Sequence, residues 1–168
     1  MAYAAKIITD SVSEAGDRLT TMEVTFPRMV LAEFITHRVF SRNSASSRAI
    51  PVEKQLQRIM DDPFIPVWWG RNQSGMQADH ELGGYDLEQA RAEWLVARDS
   101  AVNHVQRLLE LGLHKQITNR LLEPFMWHTV IVTATEWSNF FALRANPMAQ
   151  PEIRVIAEMM RDVYGESE

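Results

Sequence analysis

Apolar residues recur along this chain with two periods, and the switches between them mark its elements. AAKIITDSV (4–12) and RLTTMEVTF (18–26) are rich in apolar and β-branched residues, the second with partial period-two alternation, and Gly16 and Asp17 lie between them. That pattern predicts a β-hairpin. Pro27 suits the first turn of a helix, where its missing N–H has no intrahelical partner, and Leu31, Phe34, Ile35 and Val39 follow at helical spacing. A helix ending near Val39 is expected. VEKQLQRIM (52–60) predicts a short helix after Pro51.

The 86–111 segment places Leu87, Ala90, Trp94, Ala97, Ala101, Val105 and Leu108 on one face, predicting the longest helix, with Gly112 ending it. A second helix follows around HKQITNRLLE, stopped by Pro124, and WHTVIVTA reads as a buried strand. Thr135 is placed to cap the helix EWSNFFALR, with Glu136 favourable in its first turn, and Pro151 opens the last helix, PEIRVIAEMMRDVY. The class is α+β. Residues 61–85, DDPFIPVWWGRNQSGMQADHELGGY, read as a long loop in which Trp68 and Trp69 either cover a ligand or pack against the core. No repeat or linker divides the chain, so 1–168 is read as a single domain.

Composition narrows the function classes. With 168 residues and 46% hydrophobic content the chain can bury a sizeable core. A formal net charge of −5 argues against a protein whose whole surface serves nucleic acid or membrane, so any anion site must be local. No window approaches a membrane-spanning apolar run and the first residues lack a secretion signal, which predicts a cytoplasmic protein. The absence of cysteine excludes disulfides, thiolate metal sites and a cysteine nucleophile. The histidines show no close metal-ligand pair, and no HExxH, GxGxxG, phosphate-loop or nucleophile-elbow motif occurs, so no metal is expected.

Candidate chemistry gathers in three stretches. THRVFSRNSASSRAIP (36–51) holds three arginines, a histidine and four serines. Hydroxyls, backbone N–H groups and the planar fork of Arg48 suit a phosphate; a solvated serine-rich turn fits the same pattern. In HKQITNRLLEP, Gln116, Asn119, Arg120 and Glu123 share helical spacing, with Arg120 and Glu123 placed to pair with each other. In TATEWSNFFALR, Asn139 and Arg144 stand amid large apolar residues, so burial of either would demand a polar partner.

Together, HRVFSRNSASSR, the segment NRLLEPFMWHTVIVTATEWSNFFALR and the following AQPEIR resemble the flavin-dependent thymidylate synthases, over roughly residues 20–48 and 112–164. That family's arginine-histidine-arginine signature and polar loop stand here as Thr36, His37, Arg38, Asn43, Ser46 and Arg48. The resemblance implies a central mixed or antiparallel sheet flanked by helices, in a homotetramer whose active sites are shared between subunits. It further implies methylation of a deoxypyrimidine monophosphate, dUMP by default and dCMP as the close variant, using methylenetetrahydrofolate, with FAD reduced by NADPH. No enzyme thiol is required, in keeping with a cysteine-free chain.

By matched position, His37, Arg38, Asn43 and Asn139 are implied as flavin-binding, and Glu33, Ser46, Ser47, Arg48, Arg120 and Arg144 as substrate-binding. The resemblance implies Ser46 and Arg144 as the catalytic residues, Arg144 by reaching the pyrimidine ring. The chain departs from the family pattern where Thr36 replaces an arginine, Ser44 a glutamate and Glu33 a glutamine; it also starts late, and the turn from Thr133 to Trp137 looks slightly shorter. Two other classes remain: a nucleotide-binding or assembly protein without turnover, and a single-stranded nucleic-acid binder using Trp68, Trp69 and the arginines.

Overall fold

A computed structural model describes residues 2–167. In chain order the elements are β1 (Ala4–Val12), β2 (Arg18–Pro27), a 3₁₀ turn (Arg28–Val30), α1 (Leu31–Ile35), β3 (Ser41–Ser44), α2 (Val52–Asp61), α3 (Gly84–Glu110), α4 (Lys115–Thr118), a 3₁₀ segment (Asn119–Phe125), β4 (Trp127–Ala134), α5 (Ser138–Arg144) and α6 (Pro151–Glu166). They form two compact units, Met1–Ala45 with Trp127–Glu168, and Ser46–Met126. The expected α+β class holds.

The first unit is built on a four-stranded antiparallel sheet in the order β1-β2-β4-β3. Its faces follow from period-two alternation: Met22, Val24 and Phe26 of β2 share one side with Val130, Val132 and Ala134 of β4, all buried. Ile153, Ile156, Ala157 and Met160 of α6, together with Phe34, Phe40, Trp137 and Phe140, complete that core. Each fully buried large side chain contributes about 1.5–3 kcal/mol relative to exposure. On the opposite side of the sheet, facing threonines share hydroxyl hydrogen bonds, Thr21 with Thr133 at 2.8 Å and Thr25 with Thr129 at 2.9 Å.

Several expectations are corrected. Pro27 ends β2 instead of opening a helix: φ −60° and ψ 132° make it extended, and it takes the last rung, opposite Trp127. Proline's fixed φ serves extended and helical backbone alike, and at a strand end its missing N–H breaks no ladder. The helix expected to reach Val39 is consequently only α1, ending at Ile35 with Thr36 as its C-cap. Part of the polar stretch read as loop or turn is β3, an edge strand of four exposed residues held by β4. Thr135 does not cap α5, whose N-cap is Trp137; the Glu136 carboxylate instead accepts from the Ser138 N–H and hydroxyl.

In the second unit Val52 and Ile59 of α2, Val102 and Val105 of α3, and Leu122, Phe125 and Met126 form a separate core. The predicted long helix is α3, and its end is a Schellman motif: Leu113 N–H donates to Leu108 C=O and Gly112 N–H to Leu109 C=O, both at 2.9 Å. Gly112 sits at φ +80°, where a side chain would be strained. The second predicted helix is one α turn followed by 3₁₀, with Pro124 inside it rather than ending it.

The loop expected over 61–85 is confined to 62–83, between α2 and α3, and is irregular but folded, with a bridge between Gly70 and Glu81. A Cβ on Gly70 would lie 2.1 Å from the Ala78 Cβ. Trp69 packs edge-on against Trp94 at 6.2 Å, the packing alternative for that residue, whereas Trp68 is 40% exposed.

In the first unit the hairpin is tied to the end of α6 by Arg18. Its Nη2–H donates to Asp10 at 2.6 Å and to the Tyr164 carbonyl at 2.9 Å, and the guanidinium lies 3.9 Å above the Tyr164 ring. The Thr20 and Ser167 hydroxyls also donate to Asp10. The Arg18 hydrogen bonds hold the Asp10 carboxyl well below the usual carboxylate range, against the opposing pull of desolvation and with help from Ser167 and Thr20. A depressed carboxylate pKa contributes stability that is present above the unfolded value of about 3.9 and is lost as pH falls toward the folded value. Asp10→Asn is therefore expected to be less stable at neutral pH and to show a flatter acid limb, checked by urea midpoints from neutral pH down to about pH 2.

Candidate functional site

In the first unit the signature begins where α1 ends. Thr36 turns the chain out of α1, its hydroxyl donating to the Glu33 carbonyl at 2.6 Å. His37 follows, buried at 7% exposure. Its ring meets Phe140 edge-on at 4.9 Å and lies 5.8 Å from Phe40. Arg144, in the last turn of α5, donates from Nε to His37 Nε2 at 3.0 Å and from Nη2 to Thr36 Oγ1 at 3.5 Å.

A guanidinium has no acceptor, so His37 Nε2 must be the bare nitrogen of a neutral ring that carries its proton on Nδ1. Burial first, and the Arg144 charge second, push the His37 pKa below 6.5. Arg144 is half-buried and its partner is a protein group, answering the question its apolar surroundings raised. Asn139 is exposed. Arg38 is exposed as well, and Asn43 stands exposed on β3 opposite Ile131. Glu33 is half-buried, and its Oε2 is a buried oxygen with no hydrogen-bond partner among the described residues.

The second unit holds the rest of the signature. Ser47 is 2% exposed and donates to Glu123 Oε1 at 3.0 Å, an oxygen that also accepts from Arg120 Nη1 at 2.8 Å. The expected Arg120–Glu123 pair therefore forms and takes in Ser47. Asn119, wholly buried, donates from Nδ2 to the Ser47 carbonyl at 2.7 Å and the Ile50 carbonyl at 3.1 Å. Asn119 is thus the anchor that shapes the loop from Ser46 to Ile50. Only its place in the helical-spacing group with Arg120 and Glu123 hinted at this.

Ser46 and Arg48 line a cavity of about 210 Å³ together with Ala49, His114 and Gln116. Ser46 Oγ accepts from the Arg48 N–H at 3.3 Å, leaving its own hydroxyl proton to donate. His114 caps α4, its Nδ1 accepting from the Gln116 N–H at 3.3 Å, so the neutral ring carries its proton on Nε2. Sequence reasoning missed His114, because a histidine cap has no strong local signature. The cavity therefore combines a guanidinium, an imidazole, a carboxamide and a hydroxyl, a donor-rich set suited to an anionic oxygen group.

The sequence matches the family described as thymidylate synthase complementing protein over residues 15–166. The chain belongs to this family, the flavin-dependent thymidylate synthases. It is a thymidylate synthase-like methyltransferase of pyrimidine nucleotides. No curated protein matches the sequence significantly.

Among solved structures, the chain is similar to a UMP/dUMP methylase, PolB from Streptomyces cacaoi. In the structure bound with 5-Br UMP the identity is 18%, with 98% of this chain and 89% of that one covered at a TM-score of 0.75. In the structure bound with 5-Br dUMP it is 17%, with 98% and 90% covered at 0.76. At such identities the likeness is one of fold, and it supports the expected sheet flanked by helices.

Among the described residues no helix is long and apolar enough to cross a membrane, and no group of three or more histidine, aspartate or glutamate side chains is placed to hold a metal ion. Replacing Asn119 by alanine strands two carbonyls and is expected to cost about 1–3 kcal/mol in urea unfolding, whereas Ser47→Ala, which removes one hydroxyl, is expected to cost about 1 kcal/mol.

Proposed function

We propose that this methyltransferase transfers a one-carbon unit to C5 of a deoxypyrimidine monophosphate, dUMP by default, with methylenetetrahydrofolate as donor and with FAD reduced by NADPH. It works as a single folded domain assembled into a homotetramer with shared active sites, in the cytoplasm. The observation that carries this reading is the Ser46–Arg48 cavity. Two of its donors, Ser46 and Arg48, lie at signature positions, and among the described residues no carboxylate is bonded to Arg48. In this reading Arg48, Ser46, His114 and Gln116 of the second unit bind phosphate, with Arg120 assisting while bonded to Glu123, and Arg144 of the first unit is a pyrimidine-ring contact. Ser47 serves the substrate indirectly by holding the loop.

The flavin would be held by Arg38, Asn43 and Asn139. All three are exposed, and a guanidinium with two carboxamides suits a dinucleotide's phosphates and ring carbonyls. When bound, FAD supplies the hydride chemistry that amino-acid side chains cannot. One feature favours dCMP as a second reading: Glu33 has an unpartnered buried oxygen, and the exocyclic amine of cytosine offers it a donor that uracil lacks at that position.

Incubating the protein with FAD, NADPH and methylenetetrahydrofolate and screening dUMP and dCMP by mass tests the proposal. The expected product gains one CH₂ on one of the two nucleotides. A colourless protein that binds nucleotide but never turns over would sink the flavin reading in favour of a binding protein. Arg48→Ala should raise the nucleotide KM about tenfold or more, since a charge-assisted contact is worth about 1.5–3 kcal/mol.

A further inference from the structure

Arginines that must stay in place are most often held by carboxylates, as Arg18 is by Asp10 and Arg154 by Glu158 in this chain. Arg144 is held differently. Its two protein partners are neutral: the His37 imidazole at 3.0 Å and the Thr36 hydroxyl at 3.5 Å. A carboxylate in that place would compensate the guanidinium charge, whereas a neutral acceptor orients it and leaves the full charge for a ligand. Nη1 of Arg144 has no partner among the described residues. The imidazole is itself immobilised, wedged against Phe140 and Phe40.

We propose that His37 is a positioning residue for Arg144, a neutral acceptor that fixes the guanidinium so that its uncommitted N–H groups and undiminished charge are available to the nucleotide. This deepens the proposed function and rests on its assignment of Arg144 to the pyrimidine ring. It gives His37 a task other than contact with flavin. Thr36 fits the same device: an arginine there would set a second cation beside Arg144, while a hydroxyl donates to the Glu33 carbonyl and accepts from Nη2.

The device has a defined pH response. The aromatic neighbours Phe40, before β3, and Phe140, on α5, carry no charge, and Arg38, next in the chain, is exposed; Arg144 is the charged group facing the ring. Protonation turns Nε2 into a donor aimed at another donor and brings two cations together. Burial and Arg144 lower the His37 pKa, so the contact is intact at neutral pH and opens as pH falls through a value below 6.5.

The test is dUMP binding by calorimetry across pH 5 to 8 in the wild-type chain, His37→Gln and His37→Ala, alongside NMR detection of the Arg144 Nε–H. A glutamine carbonyl accepts at every pH. His37→Gln should therefore recover most of the neutral-pH affinity while losing the part of the acid decline that the ligand's own phosphate does not cause. His37→Ala should bind about tenfold more weakly at neutral pH, with the Arg144 Nε–H exchanging faster, as expected for one lost hydrogen bond to a charged group. Superimposable pH profiles for wild type and His37→Gln, or unchanged binding and Nε–H exchange in His37→Ala, would overturn the inference. Failure of the wild-type chain to bind either dUMP or dCMP at any pH would overturn the proposed function itself, and this inference with it.

Discussion

The pairing of β2 with β4 is the constraint on which the first unit depends. It joins segments a hundred or more residues apart in eight consecutive rungs, from Thr20 opposite Ala134 to Pro27 opposite Trp127. The register puts Met22, Val24 and Phe26 beside Val132, Val130 and His128 on the core side, and a slip of one residue would turn every one of them outward. With one edge of β4 taken by β2, its other edge offers the ladder that orders β3. All four residues of β3 are exposed, so the strand has no apolar face of its own to bury. The signature segment is thus held in shape by backbone hydrogen bonds to a buried strand.

The arginines divide by what holds them. Arg18, Arg98 and Arg154 are spent on carboxylates: Arg18 ties a hairpin to a helix end, Arg98 is largely buried and also reaches the Ile59 carbonyl, and Arg154 pairs along α6. Arg38 and Arg48 are exposed and outside those pairs, and Arg144 is oriented by neutral partners. This separation explains how a chain with a net charge of −5 can still present strong local cations. Counting charges along a sequence cannot reveal it, because compensation depends on which groups touch. Arg120 shows the difference: implied as a nucleotide ligand, it shares a carboxylate with the buried Ser47.

Much of the fold was legible because the long elements carry strong periodic patterns. The hairpin, α3 with its glycine stop, β4 and α6 behind Pro151 lie within a few residues of where apolar spacing puts them. The failures were local signals with two solutions. Pro27 has a φ that serves a strand end as well as a helix start, and ψ decides between them. Thr135 looked like a cap, but the side chain that reaches the first free N–H of α5 is Glu136. SRNS looked like loop because nothing in its composition asks for a strand.

For the site, the residue set around THRVFSRNSASSRAIP and the distant Asn139 and Arg144 is proposed from sequence alone, through resemblance to the family whose model matches residues 15–166. Residue type also determined the possible chemistry: no thiol, several hydroxyls and many guanidinium groups. What only the tertiary structure decided is which of these groups are already committed. His37 is turned onto Arg144, Ser47 onto Glu123, and Asn119 into the loop, while His114 lines the cavity beside Arg48. The physical reason is that a hydrogen bond needs two groups within about 3 Å. For partners a hundred residues apart, that distance is set by the packing of the strands and helices between them, and no local pattern in the chain encodes it.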